Sequence, residues 1–200
     1  REIRAQEQLG KGIEFFHAEV SPDASENDPY AQGATAVFRT DESKYQAAAK
    51  EFSSVVSGFG YSKTAIVARY YLGLSQLKLG QKQEAIRNLQ TAANNSRNRT
   101  LGYLAKKVLA TENMNSGNFQ AAREILEAML KDPKFNLPKE DLSLQLSQVL
   151  VALGKNEEAI KVLRDAASQA PAFGTFKQRL TAELEKLEKS TRAASGSTAK

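Results

Sequence analysis

The 200-residue chain has no cysteine and no tryptophan, a single histidine and only five prolines. Without cysteine there is no disulfide, no zinc-thiolate site and no thiol nucleophile. The compartment stays open, because a cysteine-free chain tolerates oxidising and reducing surroundings alike. The one histidine, His17, is the only base a Ser-His arrangement could use. It stands beside Phe15 and Phe16 on an apolar helix face, where packing or surface duty is expected. No run approaches the ~18 uninterrupted apolar residues of a membrane helix, and no signal peptide is visible. The Walker loop, the dinucleotide fingerprint and the calcium loop are missing as well. Two carboxylate clusters, Glu157–Glu158 and Glu183–Glu185–Glu188, alternate with lysine at helical spacing, which suits solvated faces. The expectation is a protein that is not an enzyme and holds no cofactor or metal. Asn94-Asn95-Ser96 and Asn98-Arg99-Thr100 fit the glycosylation triplet, which carries weight only in a eukaryotic secretory context.

What the chain does contain is alanine, leucine, lysine, glutamate and glutamine, a mixture that favours helix almost throughout. Its formal charge of +5 is uneven. Residues 1–60 hold six Lys/Arg against ten Asp/Glu, 61–134 hold twelve against five, and 135–200 hold ten against eight. A basic middle attracts nucleic acid, anionic lipid or an acidic protein, or simply solvates helix faces.

Three stretches repeat one phrase: LGLSQLKLGQKQEAIRNLQTA (72–92), LATENMNSGNFQAAREILEAM (109–129) and LSQVLVALGKNEEAIKVLRDA (146–166). Gly80, Gly117 and Gly154 fall at an interval of 37, as do Ala85, Ala122 and Ala159, Leu89, Leu126 and Leu163, and Leu72, Leu109 and Leu146. One interval earlier stand Ala48 and Phe52, so four repeats share a register. Periods of this length mark solenoids of helix pairs. The glycine ends a first helix in a left-handed conformation. Gly73, Ala110 and Ser147, with Ala85, Ala122 and Ala159, let paired helices approach closely. Leu89, Leu126 and Leu163 fill the space between pairs. Pro133 and Pro171 lie just past second helices.

The predicted fold is an all-α right-handed solenoid over residues 1–190, nine helices without a sheet. A first repeat (1–60) precedes repeats at 61–97, 98–134 and 135–171. A capping helix (172–190) with a charged outer face and a disordered tail (191–200) follow. Helix one is expected at 3–19 and its partner near Lys44. The loop between them, 21–43, is rich in Asp, Ser, Pro and Gly and much longer than the ~2–8 residues usual between paired helices. Its composition favours disorder, with Tyr30 and Phe38 as the residues that could pin it.

Leu72, Gly73, Gly80, Ala85, Leu89 and Ala92, repeated as Leu146, Ser147, Gly154, Ala159, Leu163, Ala166 and Pro171, resemble the tetratricopeptide repeat. The middle repeat departs with Met129 where that family has alanine. Arg69, Lys106 and Ser143 stand where it has an aromatic. The resemblance implies a partner-binding wall made by first helices: Val67, Tyr70, Leu74 and Leu77, with Lys78 beside them; Leu104, Lys107, Thr111 and Met114; and Asp141, Leu144, Gln148 and Val151. Lys107 alone fits the carboxylate clamp of co-chaperone members, and Thr111 replaces its asparagine. The wall is therefore expected to take an apolar or amphipathic protein segment with some acidic character, since Lys78 and Lys107 would otherwise be unpaired.

FSSVVSGFGYSKTAIVARYYLGLSQLKLGQKQEAIRNL (52–89) is similar to members of the bacterial envelope, among them the periplasmic ancillary subunit of the Sec translocon. That resemblance implies a periplasmic adaptor for translocon or envelope-assembly components, held at the inner membrane by a segment before Arg1, with self-association as a further option. A solenoid that binds nucleic acid, or an accessory domain of a larger enzyme, are the alternatives.

Overall fold

The structure, a computed structural model, describes residues 2–60, 62–95, 98–135, 137–171 and 174–197. Nine helices run through them: α1 (Glu2–His17), α2 (Asp41–Phe59), α3 (Lys63–Lys78), α4 (Lys82–Ala93), α5 (Arg99–Asn115), α6 (Phe119–Lys131), α7 (Lys139–Ala152), α8 (Asn156–Gln169) and α9 (Thr175–Ser197). None of them is long and apolar enough to cross a membrane. Two-residue strands β1 (Glu19–Val20) and β2 (Val37–Phe38) lie between α1 and α2. The chain divides into two compact units, Arg1–Lys106 and Lys107–Lys200.

The glycine register governs both. Gly80, Gly117 and Gly154 have φ of 73°, 74° and 73°. After each, the next residue donates its N–H to a carbonyl five residues back: Gln81 to Gln76, Asn118 to Asn113 and Lys155 to Leu150, all at 2.8 Å. These closures satisfy carbonyls that the ending helix would otherwise leave bare.

In the first unit α1 packs on α2 and α3, α2 on α3, and α3 on α4. Ala48, Phe52, Val55, Ala85 and Leu89 are wholly buried. Gly73 is small because it must be: a Cβ there would sit 2.7 Å from Leu89 Cγ. Gly12 plays the same part in α1, where a Cβ would lie 2.6 Å from Phe52 Cε1. The long insertion shifts α1 out of the interval of 37, so Gly12 escaped the register.

Three expectations are corrected here. The loop after α1 is ordered, not disordered. Ala24, Ala36 and Phe38 are buried; Phe38 meets Phe15 edge-on at 5.2 Å, and Tyr30 lies 6.0 Å from the same ring. Asp28 Oδ1 accepts from the Tyr30 N–H at 2.9 Å, and the Pro29 carbonyl accepts from Val37 at 2.8 Å. Composition pointed to disorder because it counts no long-range contacts, and three rings are enough to outweigh it. The all-helix expectation also needs an exception, because β1 and β2 pair in parallel, Glu19 with Val37 and Val20 with Phe38. Finally, α1 stops at His17 and α2 starts at Asp41, where Thr40 and Ser43 form a reciprocal capping box.

In the second unit α6 packs on α7, α7 on α8, and α9 on both α7 and α8. Ala110, Ala122, Leu126, Ala159, Leu163 and Leu180 are wholly buried, and Met129 is 2% exposed. Met129 is thus a core residue at the position that Ala92 and Ala166 hold in the neighbouring repeats. α9 buries Leu180 and Leu187, leaves Lys186 and Lys189 exposed, and continues to Ser197, into the stretch expected as a tail. Arg1, Ser96 and residues 198–200, which entered the sequence reading, lie outside the described residues.

Candidate functional site: the first-helix walls

In the first unit Tyr70, Leu74 and Lys78 follow one another at i, i+4 and i+8 on α3, which puts them on one face. Tyr70 and Leu74 are half-buried and Lys78 is exposed in the last turn, where its charge suits the helix C-terminus. Tyr70 is anchored through other rings. It meets Tyr71 edge-on at 5.5 Å; Tyr71 stacks on buried Phe52 at 5.4 Å and meets Phe16 at 5.5 Å. Phe16 in turn touches Tyr45 at 5.4 Å and exposed His17 at 5.1 Å, a surface and packing role for that histidine. Burial, with the Tyr71 hydroxyl nearby, pushes the Tyr70 phenol above its ordinary value of 10.0. A ring fixed this way loses little freedom when a partner covers it.

Sequence reasoning missed the contribution of α1. Gln6 and Leu9 join Ile66 and Val67 in a cleft of about 340 Å³ between α1 and α3. Once Gly12 is matched to Gly73, Leu9 falls at the position of Tyr70; only the insertion concealed this.

In the second unit Lys107, Thr111 and Met114 follow one face of α5, and Gln148 is exposed on α7. Lys107 is not the unpaired cation expected. Its ammonium forms an ion pair with Asp141 of α7, joining consecutive first helices. The Thr111 hydroxyl donates to the Lys107 carbonyl at 3.1 Å, so it too is engaged. Leu144 is only 6% exposed and belongs to the core, whereas Val151, at 42%, stands free on the wall. Of the two lysines thought to attract acid, only Lys78 remains.

Several cations in the middle of the chain are likewise engaged internally. Arg87 pairs with Glu84, and Arg69 Nη1 donates to Asn88 Oδ1 at 3.3 Å. Arg123 Nε donates to Glu127 at 2.7 Å and its Nη2 to Glu158 at 2.8 Å. The hydrogen bond from Arg123 holds Glu127 below the usual carboxylate range. Glu158 is lowered first by Lys155 and then by the charge of Arg123.

Helix pairs closed by a left-handed glycine, with a small residue at each crossing, are what two tetratricopeptide-repeat family models match, over residues 67–98 and 114–180. Both stretches match the tetratricopeptide repeat. Two solved structures of nearly identical TPR-like repeats from a kinesin-light-chain candidate of Podosopora anserina, one of them carrying a single substitution, share the fold. Each has a TM-score of 0.62 at 15% identity, covering 98% of this chain and 96% of the other. No curated protein sequence matches the chain. The fold is therefore an all-α, tetratricopeptide-like solenoid of helix pairs. Tetratricopeptide repeats generally mediate protein–protein interaction and are generally non-catalytic. Against a carboxylate clamp of the co-chaperone kind stands Asp141, which already occupies the lysine such a clamp would need.

Proposed function

We propose that the chain is a non-catalytic scaffold that holds partner proteins against its first-helix walls, with Tyr70, Leu74 and Lys78 on one stretch and Lys107, Thr111, Met114 and Gln148 on another. The supporting observation is the ring-anchored Tyr70 beside half-buried Leu74, an apolar face presented by α3 with no helix of its own unit burying it fully. Internal pairing of Arg69, Arg87, Lys107 and Arg123 favours this over phosphate binding, because those cations already have partners. We place the scaffold in the bacterial periplasm, anchored to the inner membrane by an N-terminal segment outside this sequence, on the likeness of residues 52–89 to envelope members. Translocon or envelope-assembly components are the partners this implies.

Photo-crosslinking of the full-length protein in its own cells tests both halves. A crosslinker at position 70 or 74 should capture a protein, and one at exposed Gln83 or Lys161 should not. Tyr70→Ala with Leu74→Ala should weaken that partner about thirtyfold, as loss of a buried aromatic anchor does. Equal capture from all four positions would refute the wall. Protection from protease in spheroplasts would refute the periplasmic placement alone.

A further inference from the structure

A second opening lies in the second unit, where the start of α7 meets the end of α8. It is a cleft of about 510 Å³, a size at which proteins hold small ligands or side chains. Its lining is apolar at Leu130, Leu137, Val162 and Ala166, and acidic at Glu140 and Asp165. Among the described residues neither carboxylate forms an ion pair. Lys139 is the one cation among the described residues of the lining; it is exposed, and its carbonyl accepts the Ser143 hydroxyl at 3.0 Å.

The register explains why the cleft exists. Ser143 and Val162 stand two intervals after Arg69 and Asn88. In the α3/α4 pair those two positions are spanned by the Arg69 side chain, whose guanidinium reaches Asn88 and whose Nε is buried. In the α7/α8 pair serine replaces the long cation and valine removes the acceptor. Among the described residues no side-chain hydrogen bond links these two positions, and both residues line the cleft instead. The opening takes up the place of the Arg69 side chain, and two carboxylates, Glu140 and Asp165, stand on its lining.

We propose that this cleft receives an arginine side chain carried on an extended segment of a partner protein. The stem lies along Val162 and Ala166, and the guanidinium meets Glu140 and Asp165. Arginine fits better than lysine because its flat head can bond two carboxylates while its stem stays on apolar surface. The space beyond one side chain accommodates an apolar neighbour against Leu130 and Leu137. The inference is independent of the first-helix walls.

The probe is a blocked Leu-Arg-Leu peptide, titrated into the ¹⁵N-labelled chain, with its isosteric citrulline counterpart as control. Saturable shifts should centre on the amides of Ser143, Val162 and Ala166, with the citrulline peptide about tenfold weaker. Glu140→Gln with Asp165→Asn should reduce the arginine peptide to the citrulline level. Ser143→Arg with Val162→Asn rebuilds the α3/α4 arrangement and should abolish binding of both peptides. Tyr70→Ala with Leu74→Ala should change nothing. Equal affinity for the two peptides, shifts centred elsewhere, or no saturable shift would overturn the proposal. If the rebuilt variant does not fold, the carboxylate pair still decides.

Discussion

Phe52 in α2 and Leu126 in α6 occupy the same position of the repeat and are both wholly buried, yet different chemistry surrounds them. Around Phe52 the first unit gathers rings: Tyr71 stacked, Phe16 beyond it, and Phe15 with Phe38 and Tyr30 under the insertion. Near Leu126 the second unit instead carries a branched ion network. Arg123 joins Glu127 on its own helix to Glu158 of α8, with Lys131 and Lys155 at the margins. Arg164 ties α8 to Glu188 of α9 in the same way. Small residues and glycine turns thus fix the helix-pair skeleton, and the ties across it are free to differ. One kind of tie depends on apolar area, and the other on pH and salt.

The largest break should come from Phe52→Ala. Urea denaturation should show a loss of about 3–5 kcal/mol, because the ring is fully enclosed. Phe52→Leu inserts the residue that the register places in the other pairs, and should cost only about 1–1.5 kcal/mol. If leucine costs as much as alanine, the aromatic tie is more than a local choice.

Next come the crossings. Ala85→Leu in the first unit and Ala159→Leu in the second should each lose about 1–3 kcal/mol through overpacking. Intact stability in both would mean the crossings have slack that the buried alanines do not show.

Smaller still is the effect of the turns. Gly80→Ala, Gly117→Ala and Gly154→Ala meet no neighbouring atom, so each should cost only the left-handed backbone penalty of about 1 kcal/mol. A wide spread among the three melting temperatures would separate environments that now look alike.

The ion network gives the smallest effect and sets the units apart by pH. Glu127 and Glu158 titrate below their ordinary value of 4.5 in the folded chain. Such carboxyls add stability that is complete above the unfolded value and disappears as pH falls through the folded one. Acidifying from about pH 6 to about pH 3 should therefore lower the melting temperature of the wild type more than that of Arg123→Ala. Parallel curves would show that the network is too solvated to matter.

The interval of 37 made the skeleton readable. The glycines, the alanines five residues later and the leucines after them all stand where that spacing puts them. Gly12 and Leu9 were lost because the insertion breaks the spacing before they are reached. The order in that insertion was hidden for another reason: Phe15, Tyr30 and Phe38 act across distance, which local composition does not register. The Lys107–Asp141 pair was missed because each residue was read down its own helix. Placing the two helices side by side in register would have set opposite charges next to each other.

The three glycine turns also give a use to the missing cysteine. Gln81, Asn118 and Lys155 are exposed, follow the same backbone closure and lie beside open solvent. A thiol introduced at any one of them would be the only thiol in the chain. A fluorophore attached there would begin from the same backbone closure at all three stations. The change in its emission on adding a partner, compared at each station with the same labelled chain alone, would then report where along the repeats the partner lies.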